Sequence, residues 1–207
     1  MIAMKTGIRL RLAVIILAAG FSSRLGRPKA LARVRSLSLL RRTLILVAQL
    51  TPAKIVVVAP PRAARYRIEA RGMKVQFAVN RRRAAGLSSS VRRGLAEVRY
   101  SPAVLLLPVD LATLHQYDLS RLVSRWRAAP RRVTARRVEG AAGSPQGGIP
   151  LILPRWLYPR ARDVTGDQGL RDIVNELAPP LRVLLHLPSA ATDVDTAQDL
   201  RAARRRR

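Results

Sequence analysis

At 207 residues, with 48% hydrophobic content and no cysteine, the chain can bury the core of one domain and excludes disulfides, cysteine-bound zinc and thiol nucleophiles. Its 39 Lys and Arg residues outweigh 12 Asp and Glu to give a formal charge of +27, almost all of it arginine because there are only four lysines. This charge is spread from end to end rather than massed on one segment, so it favours polyanionic ligands such as nucleotides and implies only non-specific contact with nucleic acid.

In chain order, residues 1–12 are a short basic extension, and residues 13–17 read as a buried strand. The apolar run 13–19 around it is too short to cross a bilayer, and no polar cleavage region follows, so a cytoplasmic protein with no membrane partner is expected. A glycine-containing loop runs on to Ala30. Residues 37–50 suit a helix, 54–59 a second strand closed by Pro60-Pro61, 62–71 a short basic helix and 74–79 a third strand. Leu87, Val91, Leu95 and Val98 recur three or four apart, which marks a helix whose opening serines are natural N-caps. Residues 103–109 are the most apolar strand and run straight into Asp110. Residues 119–126 form another helix, and 131–150, rich in Gly and Arg, read as a loop or small lid. The pattern resumes with a strand at 149–153, a helix near 168–177, a strand at 181–187, and a last helix from Thr196 that frays into the Arg tail 204–207. Strands without alternation, separated by helices, predict a mostly parallel sheet covered on both faces. The expected fold is a Rossmann-like three-layer α/β/α sandwich, one domain over residues 13–203.

The densest chemistry lies in Leu17-Ala18-Ala19-Gly20-Phe21-Ser22-Ser23-Arg24-Leu25-Gly26-Arg27-Pro28-Lys29. An open α/β sheet binds ligands at the carboxyl ends of its strands. Ala18, Ala19 and Gly20 have little or no side chain, so backbone N–H groups there can approach a nucleotide closely. Arg24 offers a planar fork of donors and Lys29 a mobile point charge for a triphosphate. The stretch meets neither GxxxxGK[ST] nor GxGxxG. Carboxylates are scarce and none precedes Glu69, so those at structured positions carry weight. Asp110, at the tip of an apolar strand, is either a helix cap or a metal ligand. Asp193 and Asp195, two apart on an extended segment, point the same way; they cap the last helix, or Asp195 is a second metal ligand. Asp167 and Arg171 form an i,i+4 pair, structural or substrate-binding. His115 and His186 are too few and too scattered for a histidine metal centre.

The glycine loop closely resembles the LAAGxSxRxGxxK signature of the MobA-like NTP transferase family, which includes the molybdenum cofactor cytidylyltransferases. Further segments follow in the family's order. Asn80, Gly86 and residues 88–95 resemble its Asn…Gly…Ser-Ser…Gly segment, and residues 105–110 its strand ending in a metal-binding aspartate. Gly148-Ile149-Pro150 resembles its Gly-x-Pro turn, residues 166–171 its Gly-Asp-x-Gly-x-Arg segment, and residues 193–200 its Asp-x-Asp-Thr-Pro-Glu-Asp-Leu close. The chain departs from the pattern at Ala112, Ile149 and Ala197 and lacks the usual glycine turn after Lys29, but no departure removes a charged group.

The resemblance implies a Mg²⁺-dependent nucleotidyltransferase with Arg24, Lys29 and Asp110 as catalytic residues and Asp110 and Asp195 on the metal. It implies nucleotide binding by Leu17, Ala18, Ala19, Gly20, Ser22, Asn80, Gly86, Ser89 and Ser90, and acceptor binding by Gly148, Asp167 and Arg171. CTP is the implied nucleotide, molybdopterin the phosphorylated acceptor, and a molybdoenzyme or chaperone the protein partner. An incoming phosphate monoester is already ionised near neutral pH, so the obstacle to transfer is repulsion between anions. A non-catalytic nucleotide or cofactor binder and a sugar-phosphate nucleotidyltransferase are also compatible with these residues. A polybasic nucleic-acid-binding protein accounts for the charge but not for the loop.

Overall fold

A computed structural model describes residues 11–140, 143–165, 169–191 and 193–205. The strands are β1 (Leu12–Leu17), the short β2 (Arg33–Val34) and β3 (Leu37–Ser38), β4 (Lys54–Ala59), β5 (Gln76–Val79), β6 (Ala103–Pro108), β7 (Val133–Glu139), β8 (Pro145–Pro154) and β9 (Arg182–Leu185). The helices are α1 (Leu39–Ala48), α2 (Ala64–Glu69), α3 (Leu87–Glu97), α4 (Gln116–Ala128), α5 (Tyr158–Asp163), α6 (Gly169–Glu176) and α7 (Ala197–Arg205). Seven strands form one sheet in the order β5-β4-β1-β6-β8-β7-β9, while β2 and β3 pair as a separate antiparallel ribbon. Only β8 runs against its neighbours, antiparallel to both β6 and β7.

The strands are apolar along their length because both faces of the sheet are covered. In β1, Leu12, Val14 and Ile16 pack with buried residues of α1, α4 and α7, while Ala13, Ile15 and Leu17 pack with those of α3, α5 and α6. Each such Leu, Ile or Val contributes about 1.5–3 kcal/mol by leaving water. Helix α3 sits unusually close to the sheet: a Cβ at Gly94 would lie 2.7 Å from Ile15 Cγ2. The start of α3, at Leu87 and Ser90, shares a cleft with Leu17 at the carboxyl end of β1. From β1 the chain adds β4 and β5 on one side and then crosses to place β6 on the other. The crevice between β1 and β6 is therefore the switch point at which open α/β sheets bind ligands.

Three local expectations change. Within 131–150, expected as a loop or lid, residues 133–139 and 145–150 are strand: β7 pairs with β8 from Thr134↔Ile152 to Glu139↔Pro145, with a bulge between Ala135 and Arg136. The outer half of β7 runs past the covering helices, so exposed Arg137 and Glu139 alternate with half-buried residues and leave only three buried positions. Gly148, expected in a Gly-x-Pro turn, lies inside β8, where its missing side chain leaves room for Val138, 2.9 Å from an added Cβ. The serines do not cap α3. Gly86 holds the cap position at φ 81° and ψ −174°, a backbone state open chiefly to glycine, and the serines fill the first helical turn. At α1 the serine cap does form: Ser38 accepts the Arg41 N–H at 3.1 Å and starts the helix at Leu39. Among the described residues, no helix is long and apolar enough to cross a membrane.

Candidate active site

Backbone bonds fix the loop after β1 at its root. The Leu17 carbonyl accepts the Val109 N–H at 3.2 Å, and the Ala18 N–H donates to the Val58 carbonyl at 2.9 Å. Ser22 then takes a left-handed conformation, φ 56°, which costs energy for a serine. Its Oγ accepts the Lys29 N–H at 2.9 Å and closes the loop into a ring. Gly26, at φ 67°, ends the 3₁₀ turn Ser23–Leu25. This closure sets Arg24 and Lys29 along one wall of a cleft of about 400 Å³.

Two carboxylates stand against these cations. Lys29 Nζ donates to Asp110 Oδ2 at 3.0 Å and also to Asp195 Oδ1. Arg24 Nη2 lies 2.8 Å from Asp195 Oδ2. The two aspartates come from distant parts of the chain and are stitched together by the Val194 N–H, which donates to the Asp110 carbonyl at 3.0 Å. The Asp199 carboxylate accepts the N–H groups of Asp195 (3.1 Å) and Thr196 (2.7 Å), while Thr196 Oγ1 accepts the Asp199 N–H at 3.2 Å. This reciprocal cap starts α7 and holds the Asp195 backbone in place. Further back, buried Asp118 accepts the N–H and Oγ–H of Ser189 at 2.9 and 2.6 Å, anchoring the approach to Asp193 on α4.

The charges respond to this packing. Burial alone would lower the Lys29 pKa, but the Asp195 hydrogen bond and the Asp110 charge outweigh it, so the ammonium is held above the usual lysine value. The Lys29 hydrogen bond in turn holds Asp195 below the usual carboxylate value, against a smaller desolvation and with help from Arg24. Asp193 is pushed up to about 6 by the surrounding protein, by Asp110 and by Asp195, with Arg136 opposing.

Of the residues singled out from the sequence, Leu17, Ala18, Ala19, Gly20, Ser22, Arg24, Lys29, Gly86, Ser90, Asp110 and Asp195 line this one cleft. Asn80 and Ser89 lie behind the wall. Buried Asn80 donates from Nδ2 to Ser89 and Ser90 Oγ at 2.9 and 3.0 Å, which ties the end of β5 to the first turn of α3. Gly148 and Arg171 are not among the lining residues; Gly148 is packed in β8 and Arg171 is exposed on α6. Asp167 falls outside the described residues. Sequence reasoning passed over four contributors: Phe21 and Arg83, which line the cleft, Asp199, which positions Asp195, and Arg136, whose charge bears on Asp193. A single arginine carries no signal among so many, but the Thr196–Asp199 spacing is a readable cap motif.

A loop with glycines at a switch point, beside two carboxylates and two cations, is built to hold a polyanion. The chain belongs to the MobA-like NTP transferase family, whose domain model matches residues 14–181. Rv0371c from Mycobacterium tuberculosis H37Rv is similar in structure, with 25% identity, a TM-score of 0.73, and coverage of 95% of this chain and 100% of that one. A complex of Rv0371c with manganese matches at 24% identity and TM-score 0.68, covering 93% of this chain and 97% of that one. A nucleotidyl transferase from Methanothermobacter thermautotroptrophicus (Mth528) shares the fold at 19% identity and TM-score 0.74, covering 94% and 96% of the two chains. No significant match was found among curated proteins.

Proposed function

We propose that the chain transfers the CMP unit of CTP, in a divalent-metal-dependent reaction, to a phosphorylated acceptor of the molybdopterin type, releasing pyrophosphate. The observation that carries this reading is the convergence of Lys29, Arg24, Asp110 and Asp195 at the carboxyl ends of β1 and β6. Two carboxylates that meet one ammonium are a hard oxygen donor pair, and Mg²⁺ is bound by one or two carboxylates together with substrate phosphates and water. Among the described residues no cluster of three or more His, Cys, Asp or Glu could hold an ion. The donor pair fits a divalent ion whose remaining ligands would come from substrate phosphates and water, and the manganese complex of Rv0371c supports a divalent ion. Such an ion, on Asp110 and Asp195, supplies Lewis-acid neutralisation of the phosphates.

The rest is done by the chain itself. Backbone N–H groups at Ala19 and Gly20 cradle the nucleotide, with Ala18 fixed behind them by its bond to Val58. Lys29 and Arg24 neutralise the charge that develops on the departing pyrophosphate. An acceptor phosphate oxygen attacks the α-phosphorus, the bond from that phosphorus to the β-phosphate oxygen breaks, and pyrophosphate leaves with the electron pair. By family resemblance we assign Gly148, Asp167 and Arg171 to acceptor binding. The deciding experiment is Asp110→Asn assayed for Mg²⁺-dependent pyrophosphate release from CTP plus molybdopterin. The expected result is lost turnover with an unchanged melting temperature; undiminished release refutes the assignment.

A further inference from the structure

Three arginines follow one another after β5, and they do not behave alike. Arg81 and Arg82 are exposed, whereas Arg83 turns inward and lines the cleft. Its Cζ lies 4.1 Å from the centroid of the Phe21 ring, and its Nη1 donates to the Ala19 carbonyl at 3.4 Å. Phe21 and Ala19 belong to the glycine loop, so this side chain joins the loop after β5 to the glycine loop. Phe21 is a large aromatic ring left 57% exposed, and the guanidinium lies over it. The loop that carries Arg83 is itself held, because Asn80 Oδ1 accepts the Arg82 N–H at 2.9 Å.

The position in the sheet says which part of a nucleotide this group meets. The phosphate-directed cations and the carboxylates gather where β1 meets β6. Arg83 comes from the other side of β1, beyond β4, at the end of β5. With the triphosphate drawn to the β6 side, the base falls to the β5 side, against Arg83 and Phe21.

The chemistry there selects among bases. An arginine fork carries five N–H donors, and the Ala19 carbonyl beside it is an acceptor. Cytosine presents two adjacent acceptors, O2 and N3, next to an N4–H₂ donor, which matches a fork with a carbonyl alongside. Uracil has an N–H between its acceptors, and the pairing edge of guanine is mostly donor. The N7/O6 edge of guanine also suits an arginine fork but brings no N–H to the carbonyl. We infer that Arg83, held in place by Phe21 and the Ala19 carbonyl, reads the base of the bound nucleotide and selects cytosine. This rests on the nucleotidyltransferase reading of the cleft.

The test is calorimetric titration with CTP, UTP, GTP and inorganic tripolyphosphate, each with Mg²⁺, of the wild type and two variants. Arg83→Lys keeps the charge and loses the planar fork, and Arg83→Met loses both. The wild type binds CTP at least about tenfold tighter than UTP or GTP, the discrimination expected of one bidentate contact. Both variants lose that preference, and Arg83→Lys binds tripolyphosphate as the wild type does. A CTP preference that survives in Arg83→Lys overturns the inference, as does an equal loss of CTP and tripolyphosphate binding in that variant. A wild type that binds no nucleotide refutes the nucleotidyltransferase reading itself, so the two failures are distinguishable.

Discussion

Lys29 stands where the two candidate metal ligands converge, and its removal has a calculable effect. Lys29→Met keeps most of the aliphatic stem and deletes the ammonium that touches both Asp110 and Asp195. Two oxygens that share one nitrogen at hydrogen-bond distance are about 5 Å apart. At an effective dielectric near 20 their mutual repulsion is roughly 3 kcal/mol. With Asp195 34% exposed, solvent screening brings this to about 1–2 kcal/mol. Arg24 remains on Asp195 at 2.8 Å and keeps the figure from rising further. A divalent ion no longer competes with the ammonium for those carboxylates, so Mn²⁺ affinity without nucleotide should increase roughly 5- to 30-fold. Electron paramagnetic resonance of free Mn²⁺ during titration measures this directly, and the gain should shrink as salt is added. The same variant should lose pyrophosphate release, because Lys29 is also required at the departing phosphates. Unchanged or weaker Mn²⁺ binding by Lys29→Met, relative to wild type, refutes the idea that the lysine and the metal use the same pair of carboxylates.

Three more perturbations separate packing from binding. Gly94→Ala places a methyl 2.7 Å from Ile15 Cγ2 and 3.1 Å from Val58 Cγ2 in the core. Overpacking there outweighs the helix preference of alanine by about 1–2 kcal/mol, so the melting temperature should fall by roughly 2–8 °C; an unchanged value would mean that α3 can lift from β1 freely. Gly20→Ala does the opposite, since an added Cβ meets no protein atom within 4 Å. Calorimetry should show the same melting temperature but at least about tenfold weaker nucleotide binding, and undiminished binding removes Gly20 from the cradle. Asp195 has its pKa lowered in the fold chiefly by the Lys29 hydrogen bond. Its contribution to stability is therefore complete above the unfolded carboxylate value of about 3.9 and is lost as pH falls through the lower folded value. The gap in melting temperature between wild type and Asp195→Asn should narrow between about pH 5 and pH 2, and a constant gap would show that the ion pair carries no stability.

What could be read from residues alone followed from how strongly each element is buried. β1, β4 and β6 are covered on both faces, so they stand out as unbroken apolar runs, and Asp110 is conspicuous because it ends one of them. The same rule explains the failure at residues 131–150. The outer half of β7 leaves the covered zone, and β8 carries Gly147 and Gly148 in its first half, where Val174 and Val138 occupy the space a side chain would need. Apolar content there drops for reasons of packing, and a strand reads as a loop. The site divides along the same line. Its backbone-determined part was legible, since loop glycines and a closing lysine are dictated by local geometry that any close-approaching phosphate requires. Its side-chain part was legible only where the resemblance reached, at Arg24, Lys29, Asp110 and Asp195; Arg83 joins the cleft only when β5 is set beside β4 and the inward turn brings it over Phe21. Asp195 and Asp110, 85 positions apart, become one site only through the Val194–Asp110 backbone bond and the Asp199 cap. Long-range pairing of this kind is set by sheet order, which a local pattern does not encode. The cleft is thus a product of topology: a short-range motif provides the cradle, and the crossover from β5 to β6 decides which charges face it.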